Sequence, residues 1–212
     1  MTFLQVDFLR LFTETALKET FFLTGGTALS AFHLHHRVSE GMGFFTEEEG
    51  QIPAVLPLIQ DMSAKLDGHL EVKRSFRSHL EFIVRKSGET LRCDFAMDSP
   101  YRLKERVFNE EYGIYVDTVH DISCNKLSAL YDRSEPKDFV DIYFIDGEIL
   151  PFEKLVQEAK KKHIGPDNYW LAISLAKIED FGILPRMLKP VTPDELRTFF
   201  KEKARWLMRG IG

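Results

Sequence analysis

The stretch FLTGGTALSAFHLHHRVSEGMGFFT, residues 22–46, limits the fold more than any other part of the chain. A short aromatic, β-prone run at 20–24 enters Gly25-Gly26. Residues 27–36 then have helical spacing, with Ala28, Ala31, Phe32 and His35 sharing a face, and a second β-prone run follows at 41–46. Glycines between a strand and a helix let an anion approach the backbone, and the first N–H groups of the helix attract phosphate. Thr27 adds a hydroxyl donor. Taken alone, a Gly-Gly pair serves equally well as a plain turn.

The rest of the chain supplies more strands, then helices. Residues 3–17 read as an opening amphipathic helix, with Phe3, Leu4, Phe8, Leu11 and Phe12 in step. Residues 53–66 read as helix with Pro53 in the first turn. Strands follow at 69–76, 79–86 and 90–97, with Ser87-Gly88 as a hairpin turn, and again at 113–118. From Asp121, read as a cap, helices are expected to about 133, over 137–144, and over 152–163, 167–179 and 193–208. Pro166, Pro185, Pro190 and Pro193 mark the joints. This order predicts an α+β fold: a mixed sheet flanked by helices over 1–150, and a helical C-terminal region over 151–212.

Charge and composition exclude several classes. The net charge of −5 rules out a wholly basic nucleic-acid binder. The charge is uneven, however: residues 151–212 carry 12 Lys+Arg against 8 Asp+Glu, and residues 1–150 carry 16 against 25. An acidic front beside a basic tail suits a metal–nucleotide site next to an RNA-holding arm, and ordinary scatter explains it as simply. Cys93 and Cys124 form no disulfide framework and no zinc spacing. The N-terminal segment carries Asp7 and Arg10 and is not a signal peptide. No apolar run approaches the ~20 residues of a membrane span. The expectation is a cytoplasmic protein with no membrane partner.

Several motifs in one order resemble the AbiEii/AbiGii toxin family of the polymerase-β nucleotidyltransferase superfamily. The family's Gly-Gly-Thr/Ser turn matches Gly25-Gly26-Thr27, and its Arg-x-Ser-Glu approach matches Arg37-Val38-Ser39-Glu40. Its third strand carboxylate matches Asp94 in LRCDFAM, residues 91–97. Its Lys-Leu-x-Ala-Leu pattern falls on residues 126–130, and its Arg/Lys-Asp-x-x-Asp-Leu-Tyr pattern on residues 137–143. The resemblance covers about residues 20–145. It implies a nucleotidyltransferase-type sheet and Mg2+-dependent transfer of a nucleotide from a nucleoside triphosphate. The implied acceptor is RNA, often tRNA, or a protein hydroxyl, and the implied setting is a toxin with an antitoxin partner. It further implies nucleotide binding by Gly25, Gly26, Thr27 and Lys126, with Asp94, Lys126, Asp138 and Asp141 as catalytic residues.

The chain departs from the family where the chemistry is most demanding. Magnesium takes hard oxygen ligands, and the family's Asp-x-Asp puts two carboxylates on one face of a strand. Here that frame reads Gly41-Met42-Gly43, so Asp94 alone remains as a metal ligand. Glu40 alternates to the opposite face with Met42 and Phe44, Glu47, Glu48 and Glu49 read as a solvated loop, and Asp98 sits at a strand end. Natural loss, or deliberate disarming of a toxic enzyme, leaves the same pattern.

Lys126 reads equally as an exposed helix lysine. Asp138 reads as helix N-terminal charge, with Arg133 and Lys137 as partners for the acids. His33, His35 and His36 lack i,i+4 spacing and read as helix filler; Cys93 reads as a buried thiol; Trp170 and Trp206 read as core before base-stacking platforms. Two functions follow, an impaired nucleotidyltransferase or a catalytically silent module that binds nucleotide, RNA or protein, with an unrelated α+β domain as the third possibility.

Overall fold

The computed structural model describes residues 1–98, 101–163 and 167–209; the expected joint at Pro166 lies outside them. Contacts divide the chain into two compact units, Met1–Phe32 with Ser39–Thr118, and His33–Val38 with Val119–Gly212.

The first unit opens with α1 (Phe3–Thr13). The Gln5 N–H donates to Thr2 Oγ1 at 3.2 Å and the Thr2 N–H donates to Gln5 Oε1 at 2.9 Å, a reciprocal cap for two otherwise unpaired donors. A single turn, α2 (Leu17–Thr20), takes Thr20, the residue expected to start the first strand, and β1 is only Phe22–Thr24. The glycines then open α3 (Gly25–Ala28), which continues as a π-helical turn, Leu29–Leu34. It stops at His35, whose φ of 50° breaks the helix. Next come β2 (Gly41–Thr46), α4 (Ile52–Lys65), β3 (His69–Phe76), β4 (His79–Lys86) and β5 (Glu89–Met97). Ser87 and Gly88, with φ of 50° and 83°, turn β4 into β5, the paired positive φ of a tight hairpin.

β6 (Val107–Asn109) and β7 (Ile114–Val116) complete a seven-stranded sheet in the order β3-β4-β5-β2-β1-β7-β6. The sheet is mixed: β2 runs parallel to β5 and β1 parallel to β7, and the other pairs are antiparallel. β6 escaped the sequence reading because Val107 and Phe108 are exposed at the edge and leave no inside–outside alternation.

Helices α1 and α4 pack on one face of this sheet. Phe12 stacks on Phe44 at 4.4 Å between centroids and Phe44 on Phe95 at 4.9 Å, with Phe8 and Phe82 beside them. All five rings are fully buried, which is where much of the chain's phenylalanine goes. Alternation then turns Gly41, Gly43, Arg92 and Asp94 to the other face.

The second unit is helical: α5 (Val119–Arg133), α6 (Pro136–Glu148), α7 (Phe152–Lys162), α8 (Asn168–Ala176), a 3-10 turn (Lys177–Asp180) and α9 (Pro193–Arg209). Its contacts group α5 and α6 with the later helices, so the units do not coincide with a division at residue 150. Helix α5 starts two residues before Asp121, which is no cap: it is fully buried and its carboxylate accepts from Lys162 Nζ at 2.7 Å. The strap His33–Val38 is pinned by backbone bonds, Val38 N–H to the Arg186 carbonyl and Leu188 N–H to the His36 carbonyl, both 2.8 Å.

Candidate functional site

Strand register sets the candidate site of the first unit. Thr24 of β1 lies opposite Gly43 of β2, Gly43 beside Asp94 of β5, and Asp94 opposite Glu81 of β4, so one row crosses four strands. One step along, Gly41 lies beside Arg92. The Gly-Gly turn leaves the sheet directly after Thr24, and Gly25 has a φ of 73° that suits glycine.

Neither Gly41 nor Gly43 has positive φ. A Cβ at 41 would lie 3.4 Å from the Arg92 carbonyl oxygen, and one at 43 would lie 3.6 Å from that of Thr24. These are ordinary contacts, so the backbone requires glycine at neither position. What the two glycines remove is side-chain chemistry.

Asp94 is held by His79 and Arg92. His79 Nε2 is 3.1 Å from one oxygen and Arg92 Nε is 3.6 Å from the other. Arg92 Nη2 also reaches Glu81 at 3.0 Å, and Glu81 meets Arg74 Nε at 3.4 Å. The face is therefore a balanced ladder of charges. One carboxylate flanked by a guanidinium and an imidazole does not supply the oxygen ligands of a magnesium pair. Among the described residues no group of three or more His, Cys, Asp or Glu is arranged to hold a metal. The residues present do not fit the Mg2+ that the resemblance implies.

The other residues expected in this unit are used structurally. The Thr27 hydroxyl, on a buried residue, donates to the Gly41 carbonyl, with Ser39 Oγ at 2.9 Å. It ties the glycine-started helix to β2, and its one proton is spent there. Glu47, expected in a solvated loop, meets Arg102 at 2.8 Å, whereas Glu48 and Glu49 are exposed. Arg102 also pairs with the fully buried carboxylate of Asp117 and lies 3.8 Å from Asp98. Asp117 in turn accepts from the Thr24 hydroxyl at 2.8 Å. The sequence reading missed this pair, although Asp117 stood at the end of an expected strand. Cys93 is buried as expected, and burial pushes its thiol well above the usual range.

The second unit brings together Lys126, Asp138 and Asp141. Asp141, fully buried on α6, accepts from Arg37 Nε at 2.7 Å and Nη2 at 2.8 Å, lies 2.7 Å from His36 Nε2, and pairs with Lys126 Nζ at 2.7 Å. Burial alone would raise this carboxyl. The Lys126 charge and the bonds from Arg37 and His36 outweigh it and hold the group well below the carboxylate range. Asp138 takes Arg133 at 2.8 and 2.9 Å, with Lys126 3.4 Å away, whereas Lys137 pairs with Glu135.

Three expectations change here. Lys126 is buried rather than an exposed helix lysine. His36 is a fully buried partner of Asp141, not helix filler. Trp170 and Trp206 are exposed, not core, although Trp206 keeps an edge contact with Phe152. Arg37 stood in the Arg-x-Ser-Glu frame without an assigned role; its position beside Asp141 supplies one.

A model of the family described as nucleotidyl transferase AbiEii toxin, type IV toxin–antitoxin system, matches residues 7–204. The chain belongs to the AbiEii nucleotidyltransferase toxin family. This AbiEii chain is 28% identical over 191 residues to the uncharacterised protein aq_aa25 of Aquifex aeolicus strain VF5, with 87% of this chain and 86% of that protein covered. Its fold is like that of two solved Helicobacter pylori proteins, each 18% identical. JHP933 gives a TM-score of 0.61 over 98% of this chain and 90% of that one. A candidate nucleotidyltransferase gives 0.64 over 98% and 93%. No described helix of the AbiEii chain is long and apolar enough to cross a membrane.

Proposed function

We propose that this AbiEii chain binds a nucleoside triphosphate on its nucleotidyltransferase fold and transfers the nucleotide at a strongly reduced rate. The family activity to which it is compared moves a nucleotide to RNA, tRNA above all, or to a protein hydroxyl, as the toxin of a toxin–antitoxin or phage-defence pair in the cytoplasm. One observation carries the reading: Gly41 and Gly43 stand in register beside Arg92 and Asp94, with room for side chains they do not have. Divalent metal neutralises charge on transferring phosphates in enzymes that hold it, and here a single carboxylate is left for it. Losing one group that stabilises a transition state costs ~10²–10³ in rate, and two ligand positions are empty of carboxylate.

The residues keep narrower roles. Gly25 and Gly26 offer backbone N–H groups to phosphate, and Thr27 joins through its N–H because its hydroxyl is engaged. Lys126 keeps the anion-binding role implied by the family as a cation held in place by Asp141 and Asp138. Asp94 remains as the one carboxylate of the metal set. A second reading, a catalytically silent binding module, draws support from the pairing of Asp94 with Arg92 and His79, which leaves the face balanced without a metal.

Equilibrium binding of labelled ATP, CTP, GTP and UTP, with and without chelator, tests the nucleotide claim. At least one should bind whether or not chelator is present, and Gly25→Ala and Lys126→Met should each weaken it. Failure of all four to bind would remove the claim.

A further inference from the structure

Helices α8 and α9 leave an open groove of about 670 Å³ in the second unit. Its lining is aliphatic, with Ile173, Leu175, Ile178, Ala204 and Met208 among the residues, and Ile173 and Met208 are 43% and 47% exposed. An adjoining hollow of about 320 Å³ shares Ile173 and adds Trp170, 58% exposed, and Lys177. Clustered apolar exposure of this kind marks a surface that is covered by something.

Charge says what covers it. Lys201, Arg205 and Arg209 line the groove from α9 at i, i+4 and i+8, which puts them in one stripe. None of the three takes part in a salt bridge among the described residues, although ion pairs are plentiful elsewhere on the chain. The one acid in the lining, Glu179, is 3.6 Å from Arg197. An aliphatic trough beside an unanswered basic stripe is complementary to an amphipathic helix whose apolar ridge is flanked by Asp and Glu, the helix-in-groove mode of recognition. RNA would answer the cations but not the aliphatic floor, because bases stack on planar rings. A membrane surface favours a protruding apolar face over a trough.

We infer that the α8–α9 groove docks an acidic amphipathic helix of a partner protein. The inference is independent of the nucleotide reading. The probe is a labelled synthetic amphipathic helix with a Leu/Ile stripe flanked by Glu, titrated against the full chain by fluorescence anisotropy; its control carries Lys in place of Glu. The Glu peptide should bind and the Lys peptide should not. The exposed triple variant Lys201→Glu, Arg205→Glu, Arg209→Glu, with its fold checked by circular dichroism, should reverse that preference. Met208→Asp should weaken the Glu peptide roughly tenfold or more. Absence of binding by the Glu peptide, equal binding of both peptides, or indifference to these substitutions overturns the proposal. So does binding of an oligoribonucleotide or of anionic vesicles that is lost in the triple variant while the Glu peptide stays free.

Discussion

Gly41 and Gly43 sit in backbone conformations that any residue adopts, with ordinary contacts waiting for a Cβ. Gly41→Asp would set a carboxylate beside Arg92, and Gly43→Asp would set one beside Asp94. The second is a like-charge neighbour, which costs about 0.2–1 kcal/mol across adjacent strands. A divalent cation relieves that repulsion and gains the oxygen ligands it requires. The double variant should therefore fold, melt slightly below the parent without metal, and rise in Tm on addition of magnesium. The parent's melting curve should not move. A parent that responds as strongly as the double variant would mean that its metal ligands lie elsewhere. This row was legible in advance, because the two-residue period of a strand places 41, 43 and 94 on one face once the motif order is seen. The His79 partner of Asp94 was not: His79 comes from β4, and no spacing along β5 announces it.

At the scale of elements, α6 carries the charges that matter most to the second unit. Asp141 gathers Arg37, His36 and Lys126 in a fully buried setting. Removing one partner of a buried ion pair costs about 3–5 kcal/mol, because the remaining charges stay buried and unanswered. Asp141→Asn should lower stability by that order in denaturant titrations at neutral pH. The pH dependence has a definite sign. The folded carboxyl lies below its ordinary value of 3.8, so its contribution is complete above that pH and is lost progressively as pH falls through the interval toward the folded value. The gap between parent and Asp141→Asn should thus narrow on acidification below about pH 4. A gap constant with pH would show that Asp141 does not titrate with folding. Helix α6 itself was readable over 137–144, although it starts at Pro136 and runs on to Glu148. Its partners were not, because Arg37 and His36 lie 104 and 105 residues away in sequence and reach Asp141 only through a strap pinned by backbone bonds.

For the whole molecule, the sequence shows the α+β order and the mixed sheet because strand and helix periods differ so plainly along the chain. It misses the grouping of contacts: His33–Val38 belongs with the later helices although it lies between α3 and β2. Such long-range closure leaves no local periodic trace. The exposed indoles were misread for a related reason, since an aromatic at helical spacing looks the same facing a core or an open groove. What the fold retains is the nucleotidyltransferase scaffold; what it lacks is the carboxylate pair on β2. The most direct measurement is transfer of label from each of the four nucleoside triphosphates to tRNA with magnesium, by this chain and by the Gly41→Asp, Gly43→Asp double variant. The double variant should transfer at least ~10²-fold faster than the parent. Equal, robust transfer by both would contradict it.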